Sequence, residues 1–283
     1  MEIIYALVSL SFAGVNDLVF KMYGNKTRSV GLFLIGVGAV WASFFAGLAV
    51  LRNTFFVSWS TVAVGSTAGI LSACANILLI EGMKRSSAAI AATIYRLNLV
   101  FVVLLAVTFL GESMSLLRAA GTLLAVAAVT LFSLPSGNVH IPHVATRLIA
   151  VLVLASFLRA CMGISFKVAG TLAVSDEVFL AVTGVWWSLV GIVYYAVREH
   201  TMRCTAAVVR YAASSGALIC GLVFFLKQAV NIGDASIAVT ISQFSFLVTA
   251  PLAAGVLQER FAGRKIAGMA LAVACIVIFS LAR

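Results

Sequence analysis

The sequence predicts an all-α integral membrane protein in which ten transmembrane helices form two inverted five-helix repeats around a central cavity. Three observations predict it: an extreme apolar composition, apolar runs of membrane-spanning length, and an internal repeat with an odd helix count per copy. Of 283 residues, 63% are apolar and 10% charged, and the mean hydropathy is +1.15, outside the range of soluble domains. Apolar runs of about twenty residues recur, each able to cross a hydrocarbon core roughly 30 Å thick. They cover residues 3–23, 31–51, 61–82, 88–110, 115–134, 147–169, 177–197, 206–230, 235–257 and 262–282.

The first run starts at Ile3 without a basic leader or a small-residue cleavage site, so it reads as a retained helix. The five cysteines, Cys74, Cys161, Cys204, Cys220 and Cys275, lack metal or redox spacing and read as small hydrophobes. The net charge of +10 would suggest nucleic acid in a soluble domain. Here most of it sits in short loops: Lys26, Arg28, Lys84, Arg85, Arg147, Arg198, Arg203, Arg260, Arg264 and Lys265 on one side, against Arg52, Arg118 and Arg283 on the other. That bias predicts a multi-pass protein of the cell (inner) membrane with basic loops cytoplasmic and both termini outside. Its surroundings are membrane lipid, and no nucleic acid partner is expected.

The repeat defines the architecture. "AAIAATIYRLNLVFVVLLAVTFLGESMSLLRAAGTLLAVAAVTLFSL" (88–134) aligns without a gap on "ASIAVTISQFSFLVTAPLAAGVLQERFAGRKIAGMALAVACIVIFSL" (235–281), with 18 of 47 positions identical at an offset of 147. "FKMYG" (20–24) matches "FKVAG" (166–170) at an offset of 146. The units are 1–134, a polar linker at 135–146, and 147–283. Five helices per unit force the second to enter the membrane from the opposite face, and such inverted repeats place a substrate site between the halves near the midplane.

The segments "TFLGESMSLLRAAGTLLAVAAVTLFS" (108–133) and "GVLQERFAGRKIAGMALAVACIVIFS" (255–280) resemble the closing turn and Gly/Ala-rich helix of EamA-type carriers in the drug/metabolite transporter superfamily. The resemblance spans essentially the whole chain and implies a carrier without naming its cargo. Gln258 stands where the pattern usually has Gly. Gly121 with Ala125, and Gly268 with Ala272, fit close helix packing, either inside the chain or in a homodimer.

Six bases fall within or at the ends of spans: Lys21, Arg96, Arg159, Lys167, Arg210 and Lys227; the spans hold only Asp17 and Glu81 as acids. Snorkelling explains Lys21, Arg210 and Lys227. Arg96 and Arg159 lie roughly 12 to 18 Å inside their helices at 1.5 Å per residue, so each should face the bundle interior. Helical spacing puts Thr93 with Arg96, Ser236 and Thr240 with Gln243, and Ser156 with Arg159 and Gly163, with Lys167 one turn beyond. Gly163 would let a ligand approach the backbone.

The predicted substrate residues are Arg96, Arg159, Thr93, Tyr95, Gln243, Thr240, Ser156 and Lys167, with Asp17 and Glu81 as candidates for ion coupling. Lys21 and Arg85, each four residues on, are the expected partners of those acids, leaving both arginines free for an anionic or zwitterionic small molecule. Pro251 is expected to kink the ninth span. Aromatics at Trp41, Trp59, Trp186, Trp187, Tyr194 and Tyr195 fit interfacial belts or core packing.

An enzyme is not expected. The chain has no His-Glu-x-x-His, Gly-x-Ser-x-Gly or paired membrane aspartates, and His140, His143 and His200 all lie in loops. Neither metal nor cofactor is called for. The predicted activity is alternating-access transport of an amino acid, organic acid or phosphorylated metabolite. The alternatives are export or flipping of a lipid-linked or amphipathic compound, and multidrug export.

Overall fold

The computed structural model describes residues 1–24, 26–85, 88–133, 146–172, 174–199, 202–258 and 263–281. The three histidines, Glu259, Arg260, Arg283 and all but the last residue of the predicted linker lie outside them. The described chain is helical: α1 (Glu2–Gly24), α2 (Val30–Leu51), α3 (Trp59–Arg85), α4 (Ala88–Arg96), α5 (Asn98–Leu110), α6 (Leu116–Ser133), α7 (Thr146–Thr171), α8 (Asp176–Tyr194), α9 (Ala206–Ile232), α10 (Ala235–Ser242), α11 (Phe246–Leu257) and α12 (Gly263–Leu281). Ten segments are long and apolar enough to span a membrane, so this is a multi-pass membrane protein. Helices dominate because a backbone in hydrocarbon must satisfy its own polar groups.

Helix starts follow local chemistry. Ser29, Ser175 and Thr205 cap α2, α8 and α9 through their hydroxyls, which accept from the amides of Leu32, Val178 and Val208. Each thereby satisfies one of the amides a first helical turn leaves open. Helix α5 ends at Gly111 with φ of 66°. Its repeat counterpart Gln258 ends α11 with φ of 54°. The left-handed geometry is therefore kept in the second copy although the glycine is not, and a side chain in that region costs about 1 kcal/mol.

The four most extensive packed pairs all join the halves: α1 with α9, α2 with α8, α3 with α7 and α6 with α12. Exchanging the halves maps this set onto itself. The Gly/Ala seams close the last pair, since a Cβ on Gly268 would lie 2.8 Å from the Phe132 amide nitrogen, and Ala125 and Ala272 are fully buried. These small residues are spent on contact within the chain. Trp41 and Trp187 pack in the core with ring centroids 5.6 Å apart, whereas Trp59 is exposed.

Lys227 does not snorkel. Its side chain is fully buried, its Nζ lies 2.8 Å from Asp176 Oδ1 and donates to Asn231 Oδ1 at 2.5 Å, and Asn231 Nδ2 donates to Asp176 Oδ2 at 2.6 Å. An acid at the start of α8 and an amide one turn on along α9 hold the ammonium inside more cheaply than a solvent-seeking bend would. Lys21 and Arg210 are exposed, as expected. Lys227→Met should lower stability by about 3 kcal/mol because Asp176 is left unpaired; adding Asp176→Leu should recover most of that. Thermal unfolding in detergent checks it, and equal losses in the single and double variants would show that the pair contributes nothing.

Candidate functional site

Two of the ten spans are broken, and the breaks correspond. The fourth is interrupted at Leu97, where ψ is 1°. The ninth is interrupted by a 3-10 turn over Gln243–Ser245, with Phe244 at ψ of 23°. Leu97 and Phe244 are 147 residues apart, the offset of the repeat. Neither break holds proline or glycine. Pro251, expected to bend the ninth span, lies within α11 instead.

The broken segments meet at one cluster. Arg96, the last residue of α4, donates from Nη1 to the Gln243 carbonyl at 3.3 Å and from Nη2 to Asp17 Oδ2 at 3.1 Å. Its guanidinium carbon lies 5.6 Å from the Phe246 ring centroid. The same Asp17 oxygen accepts from Ser245 Oγ at 2.6 Å and from Thr249 Oγ1 at 3.4 Å. Helix α1 comes this close because of Gly14, one turn before Asp17: a Cβ there would lie 2.7 Å from the Ser245 carbonyl. The side chains of Arg96 and Asp17 keep 20% and 31% of their surface exposed.

This corrects the sequence reading of the charges. Arg96 has a carboxylate partner, Asp17, which comes from a distant span rather than from Arg96's own helix. Spacing along one helix cannot reveal such a partner. Ser245 and Thr249 were missed, although their spacing of four puts them on one face of the ninth span.

The other predicted residues separate. Tyr95 is half-buried and lies close enough to Arg159 and Asp17 to feel both charges. Thr93 stands one turn before the first break, its carbonyl accepting from the Leu97 amide. Gln243 contributes its main-chain carbonyl to Arg96. Ser156 and Thr240 are buried with hydroxyls that meet no partner among the described residues. Lys167 Nζ donates to the carbonyls of Val230 and Gly233 at 2.9 and 2.6 Å, at the C-terminal end of α9. Glu81 accepts from the Tyr194 hydroxyl at 2.6 Å. Gly163 offers no opening, because Val239 would contact an added Cβ at 3.3 Å.

A second cluster sits at the end of the bundle where α9 turns into α10. Glu112, in the turn after α5, accepts at Oε1 from the Ala235 amide at 2.7 Å and at Oε2 from the Ser236 amide at 3.2 Å and the Ser236 hydroxyl. Arg118 pairs with Asp234 at 2.7 Å, and Glu2 Oε1 accepts from the Asp234 amide at 3.1 Å. A carboxylate on the open amides of a helix N-terminus is favoured by both hydrogen bonding and the helix dipole. Here the carboxylate comes from the first repeat and the helix from the second, so the contact ties the halves together.

A bundle of ten membrane spans whose two broken helices meet at a charged cluster is an arrangement that inverted-repeat carriers build around a solute site. Residues 1–134 match the EamA-like transporter family, a family of membrane transporters. No curated protein matches it. A protein known from its crystal structure superposes with a TM-score of 0.85 at 12% identity, over 99% of this chain and 96% of its own, a likeness of fold.

Removing either partner of the Arg96–Asp17 pair should be non-additive. A double-mutant cycle of Arg96→Gln and Asp17→Asn in thermal unfolding should give a coupling of about 1 to 3 kcal/mol; additive losses would show that the contact carries no energy. Glu112→Ala should loosen the α10 end. Thiol labelling of an Ile237→Cys probe in a cysteine-free background should speed up several-fold, matching a cap worth about 1 kcal/mol; unchanged labelling would mean that Glu112 holds nothing closed.

Proposed function

We propose that the chain is a secondary transporter that moves a small anionic or zwitterionic metabolite by alternating access. In this reading residues 1–134 and 147–283 are inverted five-helix units, the basic loops are cytoplasmic, both termini lie outside, and the solute binds near the paired breaks. The observation that carries it is the meeting of those breaks at Arg96 and Asp17, because interrupted helices at corresponding positions mark the site in inverted-repeat carriers. The exchange-invariant helix packing supports the inversion.

The charge inventory favours the solute class. Arg96 pairs with Asp17 and Arg159 has no acid partner among the described residues, which leaves an excess of positive charge and of donors. An opposed pair such as Arg96 and Asp17 also suits a zwitterion, whose carboxylate and ammonium can each replace one member of the pair. Asp17, which sits at the paired breaks, is the stronger coupling candidate.

The test is counterflow in proteoliposomes with labelled amino acids, organic acids and sugar phosphates. Uptake of an anionic or zwitterionic solute is expected, and Arg96→Gln and Asp17→Asn should each reduce it at least tenfold. Counterflow confined to cationic or neutral solutes would overturn the reading.

A further inference from the structure

We propose that Asn98, Ser156 and Arg159 form the subsite for the solute's carboxylate, on the seam between α5 and α7, one step away from the Arg96–Asp17 pair. The inference rests on the carrier reading above and locates the anion within it.

Helix α5 lays one stripe against α7. Phe101 meets Phe157 edge-on with ring centroids 5.6 Å apart, and a Val102 methyl lies 3.8 Å from where a Cβ on Gly163 would stand. Asn98 precedes Phe101 and Val102 by three and four residues, so it shares that stripe. On α7, Arg159 and Ser156 precede Gly163 by one and two turns and lie on its face. Tyr95, one turn before Asn98, feels the charge of Arg159.

These groups are poorly provided for by the protein itself. Asn98 is fully buried, and neither its Oδ1 nor its Nδ2 meets a partner among the described residues. Ser156 is 1% exposed with an unpartnered hydroxyl. Arg159 makes no ion pair or hydrogen bond among the described residues. Buried polar groups are ordinarily paired, and a cluster of exceptions needs an explanation.

The repeat supplies one. The counterpart of Asn98 is Ser245, whose hydroxyl donates to Asp17. At the offset of 146 the counterpart of Asp17 is Gly163, and that of Arg159 is Ala13. The first half thus supplies a carboxylate for the polar residue after the opposite break. The second half lacks that carboxylate and carries a guanidinium one turn away. An amide N–H, a hydroxyl and a guanidinium on one seam are complementary to an incoming carboxylate. It would fill the role that Asp17 fills in the other half, with the Asn98 carbonyl left to accept from a donor on the solute.

Asn98→Asp tests this without a ligand, since it places a carboxylate beside Arg159. The melting temperature of the purified protein should rise by about 3 °C or more, and adding Arg159→Gln should turn the gain into a loss. A loss of equal size with and without Arg159→Gln would overturn the subsite. Asn98→Leu removes the unpartnered amide and should also melt higher; a lower melting point would mean that the amide is satisfied within the protein, and would count against the proposal. The ligand arm measures thermal shifts with amino acids and dicarboxylates, their amides, and inorganic phosphate. Wild type should respond to the carboxylates alone, and Asn98→Ala and Arg159→Gln should each weaken that response at least tenfold. Carboxylate binding undiminished in Asn98→Ala would sink the subsite and leave the carrier reading standing. A wild-type response to phosphate in place of carboxylates would overturn the subsite alone, and a response confined to cations or neutral solutes would overturn both.

Discussion

In hydrocarbon, a helix that breaks must find partners for the backbone groups the break exposes, and the centre of this protein is arranged around that requirement. Arg96 terminates one broken helix and donates to the Gln243 carbonyl at the break in the other. Its second donor goes to Asp17, which in turn gathers Ser245. One side chain therefore satisfies a freed carbonyl and neutralises a partly buried acid. An arginine is suited to this because its planar fork holds several donors in fixed relation.

The contacts at the Glu112 end are linked to that centre through α10. Its N-terminus is held by Glu112 from the first repeat, while its C-terminal end carries Gln243. The preceding α9 is closed by Lys167. Helix α10 is therefore a short segment held at both ends by charged side chains from the first repeat, Glu112 and Arg96.

Much of the architecture was legible in the sequence for simple reasons. Hydrophobic length alone defines a span in a bilayer, so all ten were found, and the gapless repeat showed which segments correspond. The placement of charge partners was not legible. Lys227 is near a helix end and so looked able to snorkel, but Asp176 lies across a helix contact that no spacing rule reports. Lys167 looked like part of a polar seam with Ser156 and Gly163, yet carbonyls at the end of α9 take it. The breaks left no proline or glycine at their own positions, so the residue rules pointed instead to Pro251.

What the sequence by itself determined is the solvent this chain folds in, the number and length of its spans, and the correspondence of its halves, because each follows from local hydrophobicity or from self-comparison. Only the tertiary structure decided which buried charges meet, where the helices break, and which polar groups are left without partners. Those outcomes depend on contacts between segments far apart in the chain, such as Asp17 with Arg96 and Glu112 with α10. In a bundle where every face is apolar, a single polar contact settles more than any local propensity.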